Sequence, residues 1–213
     1  MSGNKIRVVL VDDHVMVRNG VRLMLSSAPD IEVVGEAGNA LEAMALFKDV
    51  EAEVALLDIT MPGKNGLDLL KQLRGEYPRL AVLVLSTYSE EIYAVRALKL
   101  GAAGYLTKDS PTAVLVAAVR KAGGGGRYVS EAIADKLAEM VGGGKGASHE
   151  NLSNRELEVL KQLARGESLV KIAENLHLSP NTVTTYRARI MEKMDLHSNA
   201  ELTRYALEHG LLG

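Results

Sequence analysis

The chain has 213 residues, enough for one large or two small domains, with 47% hydrophobic and 24% charged residues, a balance typical of soluble globular proteins. It contains no Cys, which excludes a disulfide framework and thiolate metal sites, and no apolar run approaches the roughly 20 residues needed to span a bilayer. The formal net charge of -2 gives no sign of a nucleic-acid partner, so any such reading must rest on local arrangement. The opening segment MSGNKIRVVLVDDH lacks a secretory pattern because carboxylates interrupt its apolar stretch, and a cytoplasmic location is expected.

In the first half, apolar runs alternate with amphipathic stretches. Ile6–Val11 reads as a buried strand, and Val15–Ser27 carries Val17, Val21, Met24 and Leu25 at helical spacing. Ile31–Ala37 reads as a second strand, Leu41–Phe47 as a helix, and Val54–Leu57 as a short strand ending at Asp58. Leu67–Leu73 is predicted helical, Ala81–Leu85 a fourth strand, and Ile92–Leu100 a helix stopped by Gly101. Gly104–Leu106 makes a fifth strand, and Pro111–Ala122 a helix with Pro at its start and Gly123 after its end. Strict alternation implies a parallel sheet covered on both faces, hence an α/β, flavodoxin-like, doubly wound five-stranded domain over residues 1–123.

Residues 124–150 read as a linker. Gly123–Gly126 breaks the pattern, Glu131–Val141 is a possible helix, and Gly142–Gly146 is flexible by composition. Residues 151–213 show only helical patterns and form a small all-α domain. Ser153 and Glu156 make a capping box ahead of Leu157, Leu160 and Leu163, and Ser168–Leu176 is a short helix. After a tight turn at His177-Leu178-Ser179, Ser179 caps a helix from Pro180 to Met194, and Asn199–His209 makes a last one before Gly210.

Ligands of doubly wound sheets bind beyond the carboxyl ends of the strands. Asp12 and Asp13 follow the first strand and Asp58 ends the third, its neighbour in such a sheet, so the three carboxylates should converge. Packed like charges raise one another's pKa unless a cation joins them, and a hard divalent ion, Mg2+, suits an oxygen site with few protein ligands. Ser86 ends the fourth strand with a hydroxyl, and Lys108 follows the fifth with an ammonium. A carboxylate nucleophile with two cations and a donor can attack a phosphoryl group and stabilise its equatorial oxygens.

The four motifs VLVDDH, LLDITMPGKNG, VLVLST and GAAGYLTKDSP resemble the receiver domain of two-component response regulators over residues 5–122. The resemblance implies that Asp58 accepts the phosphoryl group of a sensor histidine kinase. It also implies that Asp13, Asp58 and the main-chain carbonyl of Thr60 hold Mg2+, with Asp12 contributing through water. Ser86 and Lys108 would grip the phosphoryl oxygens. Ser86 and Tyr105 would act as the switch: Ser86 moves toward the phosphoryl group, and Tyr105 turns into the space it leaves. The alternative for Tyr105 is an ordinary half-exposed strand aromatic.

Residues 151–213 resemble the LuxR-type helix-turn-helix of the NarL/FixJ class through LSNRELEVLKQLARGESLVKIAENLHLSPNTVTTYRARIMEKM. Lys171–Leu176 would be the scaffold helix and Pro180–Met194 the recognition helix. Val183, Ile190 and Met194 fall near one helical face and should pack inward. Asn181, Thr184, Thr185 and Ala188 fall largely on another and would face base edges of double-stranded DNA. Ser179, Asn181 and Thr182 sit where a helix N-terminus can meet phosphate, and Lys171, Arg187, Arg189 and Lys193 can add phosphate contacts. The segment holds as many acidic as basic residues, and Thr184 and Tyr186 stand where relatives often carry Lys and His, so no base preference transfers. The expected protein is a transcription regulator and no enzyme, pairing as a homodimer through Asn199–His209 when phosphorylated or DNA-bound, with no membrane partner. A phosphatase using Asp58 is disfavoured, because the general acid two residues on would have to be Thr60. An adaptor with an idle DNA-binding surface is the remaining alternative.

Overall fold

The computed structural model describes residues 5–61, 66–87, 90–141 and 148–212. The expected Gly142–Gly146 linker lies outside the described residues. The chain divides into two compact units, Met1–Ala138 and Glu139–Gly213.

The first unit alternates strands and helices: β1 (Ile6–Val11), α1 (Val15–Ser26), β2 (Ile31–Ala37), α2 (Ala40–Asp49), β3 (Val54–Leu57), α3 (Gly66–Glu76), β4 (Ala81–Ser86), α4 (Glu90–Lys99), β5 (Gly104–Thr107) and α5 (Thr112–Gly123). The strands form one sheet in the order β2-β1-β3-β4-β5, and all four pairings are parallel. Val8, Val9, Leu10 and Val11 are all buried, as are all four residues of β3. Helices cover both faces, so the central strands show continuous apolar runs and no alternation. One core cluster joins Leu10, Leu56, Leu83 and Leu106 of the sheet to Val21 and Leu25 of α1 and to Leu115 and Val119 of α5.

Element ends differ from the sequence reading by one to three residues, the most at the end of α3, which runs on to Glu76. Pro111 is extended (φ -58°, ψ 147°) and caps α5 from outside, and Gly123 is its last helical residue. The larger difference comes after α5. The sequence reading treats residues 124–150 as linker, yet the chain returns to the sheet: Tyr128 N–H donates to Ala103 O at 2.7 Å, and Tyr128 bridges Gly104. A Cβ on Gly104 would lie 2.5 Å from Tyr128 O, so only glycine admits this approach. Helix α6 (Glu131–Val141) comes next.

The second unit begins with a 3-10 turn (Ser148–Asn151) and contains α7 (Asn154–Ala164), α8 (Leu169–Leu176), α9 (Pro180–Met194) and α10 (Asn199–Glu208). Both halves of the capping box are made: Glu156 N–H donates to Ser153 Oγ at 3.3 Å, and Ser153 N–H to Glu156 Oε2 at 2.7 Å. Leu157, Leu160, Ile172, Val183, Ile190, Leu202 and Ala206 are fully buried and make the core. His149 Nδ1 lies 2.9 Å from Tyr205 Oη, which ties the opening turn to α10.

His177, in the turn between α8 and α9, and Asp195, after α9, adopt left-handed backbone angles (φ 52° and 53°). Asp195 also sets a carboxylate at the negative end of the α9 dipole. Asp195→Gly relieves both and should stabilise the unit by about 1 kcal/mol, read as a higher urea midpoint with unchanged slope. An unchanged or lower midpoint would contradict this. Among the described residues no helix is long and apolar enough to cross a membrane.

Candidate functional site

The sheet order sets the site. Val11 pairs with Leu57, so Asp12 and Asp58 leave adjacent strands side by side, and Asp58 N–H donates to Val11 O at 2.8 Å. Ligand atoms of Asp12, Asp13, His14 and Asp58 lie within 4.8 Å of one another. Lys108 arrives from the end of β5, where its N–H donates to Ser86 O at 2.8 Å. Its Nζ stands 2.6 Å from Asp12 Oδ2 and 2.7 Å from Asp58 Oδ2, one cation between two carboxylates. Thr60 N–H donates to Asp58 Oδ1 at 3.0 Å, so both oxygens of Asp58 have donors.

Asp58 is only 2% exposed. Burial pushes its carboxyl above the ordinary carboxylate value, and Asp12 adds to the push; Lys108 and the Thr60 N–H pull it back without cancelling it. Burial alone would lower the Lys108 pKa, but its hydrogen bonds to Asp12 and Asp58 outweigh that and raise it. The ammonium is therefore firmly charged.

The donor set fits a hard cation. Asp13 Oδ1 is enclosed and accepts no hydrogen bond among the described residues; His14 Nδ1 lies 3.0 Å away without the geometry of one. Among the described residues, three carboxylates share a space with the Lys108 ammonium, which is paired to two of them. Oxygen ligands of this kind take Mg2+ in preference to softer ions.

Ser86 is fully buried at the carboxyl end of β4, two residues beyond Val84, which pairs with both Leu57 and Tyr105. Tyr105 is also fully buried, so the half-exposed alternative does not describe it. Sequence reasoning missed three residues that shape this site. His14 N–H donates to Asp12 Oδ1 at 2.8 Å. Arg18 donates from Nη1 to the Asp12 carbonyl and from Nε to Glu36 Oε2 at 3.1 Å, clamping the acidic turn onto α1 and β2. Gly66, the first residue of α3, donates its N–H to Ile59 O at 2.9 Å. His14 and Gly66 lie within the quoted motifs, whereas nothing local marks Arg18.

In the second unit, Val183, Ile190 and Met194 are buried, and Asn181, Thr184, Thr185, Ala188 and Arg189 are exposed, as helical spacing requires. Ser179 Oγ accepts Thr182 N–H at 3.1 Å and lies 2.8 Å from Thr182 Oγ1, so these hydroxyls cap the helix. Thr184 and Thr185 donate their hydroxyls back to Pro180 O and Asn181 O at 3.0 and 3.1 Å. Lys171 is exposed on α8, 3.6 Å from Glu174. Arg187 leans toward α10, donating from Nε to Asn199 Oδ1 at 2.9 Å.

Lys193, expected among the phosphate contacts, is exposed, and its ammonium is paired inside its own unit. At 3.6 residues per turn it falls about 80° from Val183, beside the buried stripe. Its Nζ is 2.7 Å from Oε2 of Glu156, whose side chain is 3% exposed. Burial pushes the Glu156 carboxyl up, but Lys193 and Ser153 outweigh it and hold the group below the ordinary range.

Residues 8–120 match the family described as response regulator receiver domain, and residues 150–206 that described as bacterial regulatory proteins, luxR family. The response regulator GacA of Pseudomonas aeruginosa is 35% identical over 97% of this chain and 98% of its own. The solved structure of RcsB from Salmonella enterica serovar Typhimurium, bound to promoter DNA in the presence of the phosphomimetic BeF3-, is similar with a TM-score of 0.68 at 27% identity, over 95% of this chain and 98% of that one. A structure of two RcsB dimers bound to two parallel DNAs is similar with a TM-score of 0.61 at 26% identity, over 96% and 98%.

Proposed function

Since the chain belongs to the NarL/FixJ response regulators, which join a receiver domain to a LuxR-type DNA-binding domain, we propose that phosphorylation of Asp58 controls its binding to promoter DNA. The observation that carries this reading is Asp58 itself: a buried carboxylate at a strand end, grouped with Asp12 and Asp13 and joined to Lys108 at 2.7 Å.

A carboxylate oxygen of Asp58 attacks the phosphorus of a phosphohistidine on the sensor kinase. The N–P bond breaks, and the imidazole leaves with its electron pair and takes a proton. Asp13, Asp58 and the Thr60 carbonyl would hold Mg2+, with Asp12 acting through water, and the ion would neutralise and orient the phosphoryl oxygens. Lys108 and the Ser86 hydroxyl bind those oxygens as the phosphoryl group moves onto Asp58. Lys108 is already hydrogen-bonded to Asp58, so the reaction redirects an ammonium that is in place. Ser86 and Tyr105 lie on neighbouring strands, and a shift of Ser86 changes the packing available to Tyr105 and so the surface around β5.

In the second unit, α9 enters the major groove and presents Asn181, Thr184, Thr185 and Ala188 to base edges. Ser179, Asn181 and Thr182 at its N-terminus, with Lys171, Arg187 and Arg189, meet phosphates. The exposed Leu207 on α10 supports pairing of two copies through that helix, which matches paired half-sites. The RcsB complexes support both promoter binding and dimers. The place of action is the cytoplasm, where DNA and kinase meet.

A small phosphodonor with Mg2+ should add a single hydroxylamine-labile phosphoryl group, seen by intact mass. Chelating the metal should abolish the addition. Undiminished labelling in chelator would overturn the metal assignment, and more than one adduct would overturn the single acceptor.

A further inference from the structure

We infer that Lys193 and Glu156 are a positioning pair, which fixes the seat of α9 on α7 and so sets DNA affinity without contact with DNA. The inference rests on the DNA-binding reading above. The pair joins the last turn of α9 to the first turn of α7 through one 2.7 Å hydrogen bond. The carboxylate end of that bond is enclosed, with the Glu156 side chain 3% exposed, while the Lys193 side chain is 42% exposed. Glu156 Oε2 also accepts the Ser153 N–H at 2.7 Å, so the capping box sets its position. Lys193 is flanked by Met194 and Ile190, which are buried.

Apolar contact alone tolerates roll and slide of a helix, whereas a charge-assisted hydrogen bond has a direction. The opposite end of α9 is joined to α8 through the tight turn at His177, where Leu178 N–H donates to Ala173 O at 2.8 Å. The ion pair therefore anchors the end that would otherwise depend on packing alone, and it fixes the angle at which Asn181, Thr184, Thr185 and Ala188 are presented. Lys193 cannot leave for a phosphate at no cost, because its departure strands a carboxylate that is almost fully enclosed.

The test separates positioning from phosphate contact by salt dependence. The probe is a short duplex selected from a random-sequence pool by the phosphorylated chain. Kd is measured over a series of salt concentrations for the wild type, Glu156→Gln, Lys193→Met, the double variant and Arg189→Ala. Gln keeps the capping bond to Ser153 but offers Lys193 a neutral oxygen in place of a carboxylate, so Glu156→Gln retains the fold and loses the charge assistance; thermal melts set a temperature at which each variant is folded. Glu156→Gln and Lys193→Met should each weaken binding about tenfold, the loss of one well-placed base contact. Their log Kd against log salt slopes should equal that of the wild type, and the double variant should bind no more weakly than Lys193→Met. Arg189→Ala, which removes a phosphate contact, should reduce the slope by about 0.9.

Wild-type affinity in Glu156→Gln overturns the inference, and so does a reduced slope in Lys193→Met. Should Lys193→Met not fold, Glu156→Gln decides alone. If the wild type enriches no duplex, the DNA-binding reading falls and takes this inference with it.

Discussion

Asp58→Asn is expected to take up no phosphoryl group from a small phosphodonor while keeping its fold. An amide oxygen is a far weaker nucleophile than a carboxylate, and Asp12 and Asp13 lack the placement of Asp58 between Lys108 and the Thr60 N–H. The fold should survive because Asn matches Asp in shape, and Lys108 keeps Asp12 at 2.6 Å. The substitution also removes a buried charge whose pKa burial has raised, so the change in stability should stay within about 1 kcal/mol of either sign. Intact mass before and after phosphodonor treatment, with a urea titration beside it, reads both effects. Persistent labelling would move the acceptor elsewhere.

Gly66→Ala should damage stability and phosphorylation together. A Cβ at this position would lie 2.1 Å from Asp58 O and 2.6 Å from Ile59 Cα, both backbone atoms that no side-chain rotation can clear. Either α3 must back away, with loss of the Gly66 N–H bond to Ile59 O, or the segment after β3 must shift and carry Asp58 with it. A forced shift of packed backbone costs about 3 kcal/mol or more. The receiver transition should move to markedly lower urea, and the labelling rate should fall even where the protein is still folded. A variant that labels and unfolds like the wild type would show that α3 can yield at no cost.

The acidic pocket was legible in the sequence because buried parallel strands are short apolar runs, and the residues just beyond each run share one edge of the sheet. Asp12, Asp13, Asp58, Ser86 and Lys108 could therefore be grouped from strand ends alone. Less of the arrangement within the pocket could be read. Lys108 was expected to grip phosphoryl oxygens, but its present partners, Asp12 and Asp58, depend on a fold that brings residues 50 positions apart to 2.7 Å. Arg18 holds the Asp12 carbonyl from a helix whose periodicity marks only its apolar side.

The second unit shows the same divide. The Ser153–Glu156 capping box is a local pattern and was read directly. The second partner of Glu156 lies 37 residues on, and nothing near Lys193 separates a lysine paired to a buried carboxylate from one that meets only solvent. The return of Tyr128 to β5 was missed because Gly123–Gly126 reads as a stop; Gly126 N–H in fact closes α5 onto Lys121 O and redirects the chain.

The central claim is that the state of Asp58 governs DNA binding. Affinity for a duplex selected by the phosphorylated chain should be measured with and without a phosphodonor and Mg2+, in the wild type and in Asp58→Asn. Phosphorylation should tighten binding by the wild type and leave Asp58→Asn at the unphosphorylated level. Equal affinity of the wild type under both conditions, or an equal response in Asp58→Asn, would contradict the account.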